Sequence, residues 1–251
     1  MKQHLALFYL LAFFAVLWIP LGQHAFLILH WMKVGTFLAP ILLFQLALTT
    51  PDRDSHSGVR ALATWMLVLY IIHQFEEHWV DVFGNVYAFH GSVNDLVTQA
   101  LGQPAGSVKA LTPLSIFVIN TSLVWLVGLL AIWRFHRSVF PALAMNAIIL
   151  VNAFTHKLAS LAKAAYNPGL FTALVLFLPF ALLVYRRLLR EGVTTRAEIG
   201  LSVVWAAFAH VIMVAGMVAA NVFNVIPALA YHGALIVWSI VPTLISFSKS
   251  R

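Results

Sequence analysis

The sequence predicts an all-α fold, a polytopic bundle of about eight transmembrane helices with both termini cytoplasmic. Three observations predict it. Of 251 residues, 62% are hydrophobic and 9% charged, with a mean hydropathy of +0.92. A soluble domain is roughly 25% charged, so too little polar residue remains here to cover a water-facing surface. The apolar residues also fall in runs of about 20, the length a helix needs to cross a hydrocarbon core. Finally, the basic residues sit at the ends of those runs and not in a patch with interleaved aromatics. The net charge of +7 therefore reflects membrane topology and excludes nucleic acid as a partner. The absence of cysteine removes disulfides, thiolate zinc sites and thiol catalysis.

Taken in order, Lys2 and the apolar run from Leu5 to Ile19 resemble a signal peptide. Pro20-Leu21-Gly22-Gln23 offers no small-x-small cleavage site, so a retained first span is predicted over 4–21. Further spans are predicted over 25–48, 60–79, 112–133, 140–162, 168–185, 199–222 and 226–247. Pro168 and Pro227 stand where first-turn prolines belong, with Asn167 as an N-cap. Pro179 predicts a kink inside its span. No repeat or soluble domain interrupts residues 1–251, which read as a single domain. With the N-terminus inside, eleven of the fifteen Lys and Arg residues fall in cytoplasmic segments, which makes the 80–111 loop external. In that loop Ser92 and Asp95 have capping-box spacing, which predicts a short helix from Val93 toward Leu101. It reads either as an inert amphipathic helix on the membrane surface or as a lid.

The chain has eight acidic residues, and three lie in His73-Gln74-Phe75-Glu76-Glu77-His78-Trp79-Val80-Asp81. At about 100° per residue, Glu76 lies to one side of His73 and Glu77 to the other, with Tyr70 and Asp81 on the Glu77 side. His78 points toward the opposite side. A charged residue near the centre of a membrane helix costs about 2.5–3.5 kcal/mol. Snorkelling at a helix end accounts for Asp81 but not for the pairing of His73 with Glu77. On the fifth span Asn152 and His156 stand at i and i+4, and Tyr166-Asn167-Pro168-Gly169 forms the following turn. His210, with Asn221 on its stripe, and His232 occupy the seventh and eighth spans. Topology places these polar groups in the outer half of one bundle, where ionisable side chains face the interior. The candidate metal ligands are His73, Glu77, His156, His210 and His232, and the candidate catalytic groups are Glu76, Glu77, Asn152 and Tyr166.

The run His73-x-x-Glu76-Glu77, then Asn152-x-x-x-His156 and Tyr166-x-Pro168-Gly169, resembles the HXXEE-motif family of bacterial and archaeal membrane proteins over roughly residues 65–185. The resemblance implies that these eight residues act as a set, in a prokaryotic plasma membrane. It supplies no reaction. Histidine with carboxylate suits zinc in a hydrolase first and iron in an oxidase second, with a lipid or other membrane-partitioned molecule as substrate. On that reading Glu76 is a general base or a partner of the ligands, Asn152 orients His156 or the substrate, and Asn152 or Tyr166 stabilises an oxyanion. A proton- or ion-coupled transporter using the same cluster is one alternative. A metal-independent glutamate protease of the membrane CAAX type is another, although that family expects arginine where this chain has Asp81.

Overall fold

The computed structural model describes residues 25–48 and 55–247. The span expected over 4–21 and both chain ends lie outside the described residues. Eight helices follow in order: α1 Ala25–Leu48, α2 Ser55–His78, α3 Ala88–Ala100, α4 Pro113–Arg134, α5 Phe140–Lys163, α6 Leu170–Arg190, α7 Arg196–Asn221 and α8 Ala228–Ile240, which continues as a 3-10 turn over Val241–Leu244. The described residues contain no strand, only an isolated bridge between Val80 and Val86. Six helices, α1, α2 and α4–α7, are long and apolar enough to cross a membrane. The chain is an α-helical integral membrane protein. The last expected span, 226–247, is a shorter apolar helix.

Burial orders the bundle. In α4 94% of the apolar window is buried, against 28% in α1 and 33% in α7, so α4 runs through the centre and α1 and α7 flank it. Trp125 and Phe117 of α4 are completely buried, packed in one core with Leu67 and Ile71 of α2, Ile148 of α5 and Phe177 of α6. Close approach of α2 to α4 is possible because residue 128 is glycine: a Cβ there would stand 2.9 Å from a Leu67 methyl. Outward-facing Phe37, Leu158, Leu182 and Val211 are all more than half exposed, as expected where the solvent is lipid. Helix starts follow local chemistry. Thr112 accepts the Ser115 N–H ahead of Pro113, and Thr195 and Glu198 form a reciprocal capping box at α7.

Three local expectations are corrected. The short helix in the long loop begins a turn early, at Ala88, after Tyr87 in the left-handed region (φ 55°), so Ser92 and Asp95 lie inside the helix and cap nothing. Asn167 does not cap α6; the helix starts after Gly169 (φ 94°). Pro227 is the residue before α8, in extended backbone, and not in its first turn. The loop leading to α3 is organised by Asp81, whose carboxylate accepts the Phe83 and Asn85 N–H groups and the Asn85 side chain. Burial alone pushes the Asp81 carboxyl up, but these hydrogen bonds outweigh it and hold the group below its ordinary value. The α3 helix is held to the bundle end at two points. Leu111 N–H donates to Asn94 (2.8 Å), and the Lys163 ammonium donates to the Ser92 carbonyl (2.7 Å) and hydroxyl (3.1 Å).

Two membrane helices wind as π-helix for about a turn, α4 over Asn120–Leu126 and α6 over Ala173–Phe177. Pro179 follows the second stretch directly, where the wider winding already leaves α-type bonds unmade, so a residue without an N–H costs little.

Candidate metal site

The last turn and a half of α2 is polar around its whole circumference. His73, Gln74, Glu76, Glu77 and His78 are all at most 6% exposed. Buried polar groups need partners, and here each finds one on another element: Gln74 and His78 on α4, His73 and Glu76 on α6, Glu77 on α5.

The two π stretches supply two of these sets. Residues five apart in an α-helix differ by about 140° in direction, whereas the wider winding of i→i+5 π bonding swings them back toward one face. In α4 this brings Asn120 and Trp125 together on Gln74: the Trp125 indole donates to Gln74 Oε1 (2.8 Å), and Gln74 Nε2 donates to Asn120 Oδ1 (2.8 Å). In α6 it brings Thr172 and Phe177 together on His73, with Thr172 Oγ1 2.7 Å from His73 Nδ1 and the Phe177 ring centre 4.2 Å from the imidazole.

Glu76 faces the loop before α6. It accepts the Tyr166 hydroxyl (2.8 Å), the N–H groups of Phe171 (3.1 Å) and Thr172 (2.8 Å), and the Thr172 hydroxyl (2.5 Å). Burial and then Glu76 itself push the Tyr166 phenol above its ordinary value. Four donors saturate this carboxylate, so it anchors the loop and is not positioned as a general base. Tyr166 is likewise committed and has no proton to offer an oxyanion.

Glu77 faces histidines. Its Oε1 lies 2.9 Å from His156 Nε2 and 3.4 Å from His73 Nε2, and its Oε2 lies 3.4 Å from His78 Nε2. The tautomers follow from the partners on the other ring nitrogens. Asn167 donates its amide to the His156 carbonyl (2.9 Å), which leaves Asn167 Oδ1 to accept from His156 Nδ1 (2.7 Å). Thr172 gives its single proton to Glu76, so Thr172 Oγ1 accepts from His73 Nδ1. Both imidazoles therefore turn an Nε2 lone pair toward Glu77. Donation from Trp125 through Gln74 and Asn120 ends with the Asn120 amide on His78 Nε2 (3.2 Å), which makes that nitrogen an acceptor too.

His73, Glu77 and His156 each bring one ligand atom to within 4.8 Å of the others, and among the described residues they form the one group of three histidines or acids so placed. With both rings neutral, two imidazole lone pairs and a carboxylate oxygen converge here, His156 Nε2 standing at hydrogen-bond distance from Glu77 Oε1 (2.9 Å), and the His73 Nε2 is buried without a hydrogen-bond partner. Such an arrangement could hold a cation. Ligands at 2.0–2.1 Å from a tetrahedral zinc lie about 3.3 Å apart, close to the 3.4 and 2.9 Å separations seen around Glu77 Oε1. Gly169 forms the floor. Its backbone sits so near that a Cβ would stand 2.5 Å from His156 Cε1, 2.8 Å from Glu77 Cγ and 2.9 Å from His73 Cε1.

Other expected residues lie elsewhere. Asn152 donates to the Tyr70 hydroxyl (2.9 Å) and does not orient His156, a task that falls to Asn167. His210 bonds the Ala206 carbonyl of its own helix (2.8 Å) and His232 meets Ser115 (3.3 Å), so neither joins the ligand group. Asp81 serves its own turn. Gln74, Asn120, Trp125 and Thr172 were not legible as site residues. Thr172, three residues beyond the Pro168-Gly169 turn, carried the nearest signal. His78 was assigned to the far side of α2, yet its ring reaches back to Glu77.

Residues 64–184 match the family described as proteins of unknown function with an HXXEE motif. The matched segment contains His73, Glu76, Glu77, Asn152, His156, Tyr166 and Gly169, and ends before His210 and His232. No curated protein and no solved structure matches the chain.

Proposed function

We propose that this chain is a metal-dependent membrane hydrolase of the prokaryotic plasma membrane, with His73, Glu77 and His156 holding a divalent ion, zinc in preference to iron. The observation that carries the reading is the convergence of His73 Nε2 and His156 Nε2, each ring fixed from behind, on one oxygen of Glu77. Asn167 and Thr172 hold the Nδ1 atoms, as outer partners of metal-binding histidines do, and Glu76 holds the loop that carries Thr172 and Gly169. A metal in this position supplies Lewis acidity and a nucleophile from water at neutral pH. One proton acceptor, Glu77 Oε2, stands beside it on a cavity of about 430 Å³. Tyr70 lines the same cavity. Because its oxygen accepts from Asn152, its own hydrogen is available to meet negative charge developing on a substrate carbonyl.

The decisive experiment is elemental analysis of the protein purified in detergent without chelator. About one zinc per chain is expected, lost in His73→Ala and His156→Ala. One observation favours the alternative, a proton- or ion-coupled transporter: a second cavity of about 360 Å³ also reaches Glu77 and His78, from the side of α1. If the protein neither holds nor takes up a metal, the three acceptors share a proton and the transporter reading replaces the hydrolase.

A further inference from the structure

We infer that the 430 Å³ cavity is a binding chamber for a single-chain amphiphile with an uncharged, oxygen-bearing head, which reaches it sideways from the lipid between α5 and α7. The inference rests on the hydrolase reading for the fate of the head group, but not for the chamber itself.

The chamber is two-ended. At one end stand Tyr70, Glu77, Asn152 and His156. The rest of its wall is mostly apolar, with Leu96 and Val97 from α3, Leu123 and Val124 from α4, Ile148 from α5 and Met217 from α7, interrupted by Ser92, Thr155, Lys163 and His210. Phe89 of α3 packs against the polar end, its ring centre 5.2 Å from His78 and 5.8 Å from His156. A chamber of this size lies within the range of small-molecule sites. Taking a methylene as close in size to a water molecule, roughly 30 Å³, a volume of 430 Å³ holds about fourteen such groups. That is one acyl or isoprenyl chain and not two.

Access is lateral because two wall residues belong to the lipid-facing surface. Leu158 of α5 is 63% exposed and Val214 of α7 is 46% exposed, yet both line the chamber. From the loop side α3 covers it, held by Lys163 and Asn94. Head-group charge is set by the polar end. It carries one carboxylate, and the one lysine or arginine in the wall, Lys163, is engaged by the Ser92 carbonyl and hydroxyl. A phosphate would find no spare cationic side chain there, whereas an ester or alcohol oxygen can accept from Tyr70.

The test uses the full-length protein in lipid nanodiscs with a monoacylglycerol carrying a diazirine in its chain, followed by peptide mass spectrometry. Photolabelling is expected on the α4 and α7 walls, at Leu123, Val124 or Met217. It should fall roughly tenfold in Val214→Trp, where a bulky ring fills the opening, and persist in Val214→Ala. A diacylglycerol probe and a lysophosphatidate probe of the same chain should label these walls poorly. Labelling confined to bilayer-facing residues such as Phe37 and Leu182, or equal labelling by the diacyl or the phosphate-bearing probe, overturns the proposal. Zinc content measured on the same samples separates the two readings. Metal without chamber labelling removes the chamber and leaves the metal site; chamber labelling without metal leaves the chamber and removes the hydrolase.

Discussion

Glu76 and Glu77 are neighbours in sequence, equally buried at 5% and 4%, and surrounded by opposite chemistry. The region around Glu76 is all donors: two backbone N–H groups, a phenol and a threonine hydroxyl. The region around Glu77 is all acceptors, three imidazole nitrogens whose protons are committed elsewhere. One turn of the helix by about 100° separates a structural staple from a candidate ligand. A buried carboxylate's role is thus set by where its neighbours keep their protons.

The sharpest way to break this comparison is to remove the charge on each side in turn. Glu76→Gln presents an amide to four donors, leaving at least one buried N–H unpaired, and should destabilise the protein by about 3 kcal/mol. Glu77→Gln removes a desolvated charge from a cluster of acceptors, so its apoprotein should be as stable as the parent or more so while binding no zinc. Thermal unfolding in detergent reads the first effect and metal analysis the second. Equal destabilisation by both would erase the distinction. It would also make Glu77 structural.

A smaller effect sharpens the comparison from behind. Asn167→Ala frees the His156 ring to rotate and to change tautomer, and should weaken zinc binding about 10–100-fold, measured by competition with a chromogenic chelator, with little change in unfolding. Thr172→Val removes a donor to Glu76 and the partner of His73 Nδ1 at once, so it should lower zinc affinity and stability together. An Asn167→Ala variant that keeps full affinity would show that His156 does not depend on its Nδ1 partner.

Asp81 provides the smallest effect and the baseline. Its carboxyl is held below its ordinary value in the fold, so the stability it lends its turn is fully present above the usual carboxylate range and is lost as pH falls through the lowered value. Hydrogen-exchange protection of the Phe83 and Asn85 amides should drop on acidification, and in Asp81→Ala it should already be low at neutral pH, with global unfolding and zinc content unchanged. A parallel loss of zinc would tie this turn to the metal site, contrary to the local hydrogen bonds seen.

Much of the fold could be read before the structure because its cause is local. Hydropathy and charge placement locate the membrane helices to within a few residues, and the i, i+4 relation of His73 to Glu77 is a property of α2 alone. The resemblance joined His156 and the 166–169 turn to them. What escaped depends on winding and on loops. The α-helical wheel placed His78 on the far side of α2, although its flexible ring returns to Glu77. Asn167 has the sequence position of a cap and the job of an imidazole partner. Glu76 could not be distinguished from a base because its donors include two backbone amides, which no side-chain pattern reveals. Asn120 with Trp125, and Thr172 with Phe177, share faces only under π winding, so an α-helical reading sends each pair in different directions.

The π stretch in α4 also changes what kind of mutation this protein should fear. A π turn is an α-helix holding one residue more than the winding needs. Removing one residue from 121–124 lets the helix relax to ordinary α geometry with the segments on either side nearly in their original register, whereas removing one from an α-wound part of the span turns them against each other by about 100°. In the first case Asn120 and Trp125 become i and i+4, on one face, and can still meet Gln74; in the second, the residues beyond the deletion turn away from their partners, although the composition and hydropathy of the span hardly change. The register of this site is written in chain length as much as in residue identity.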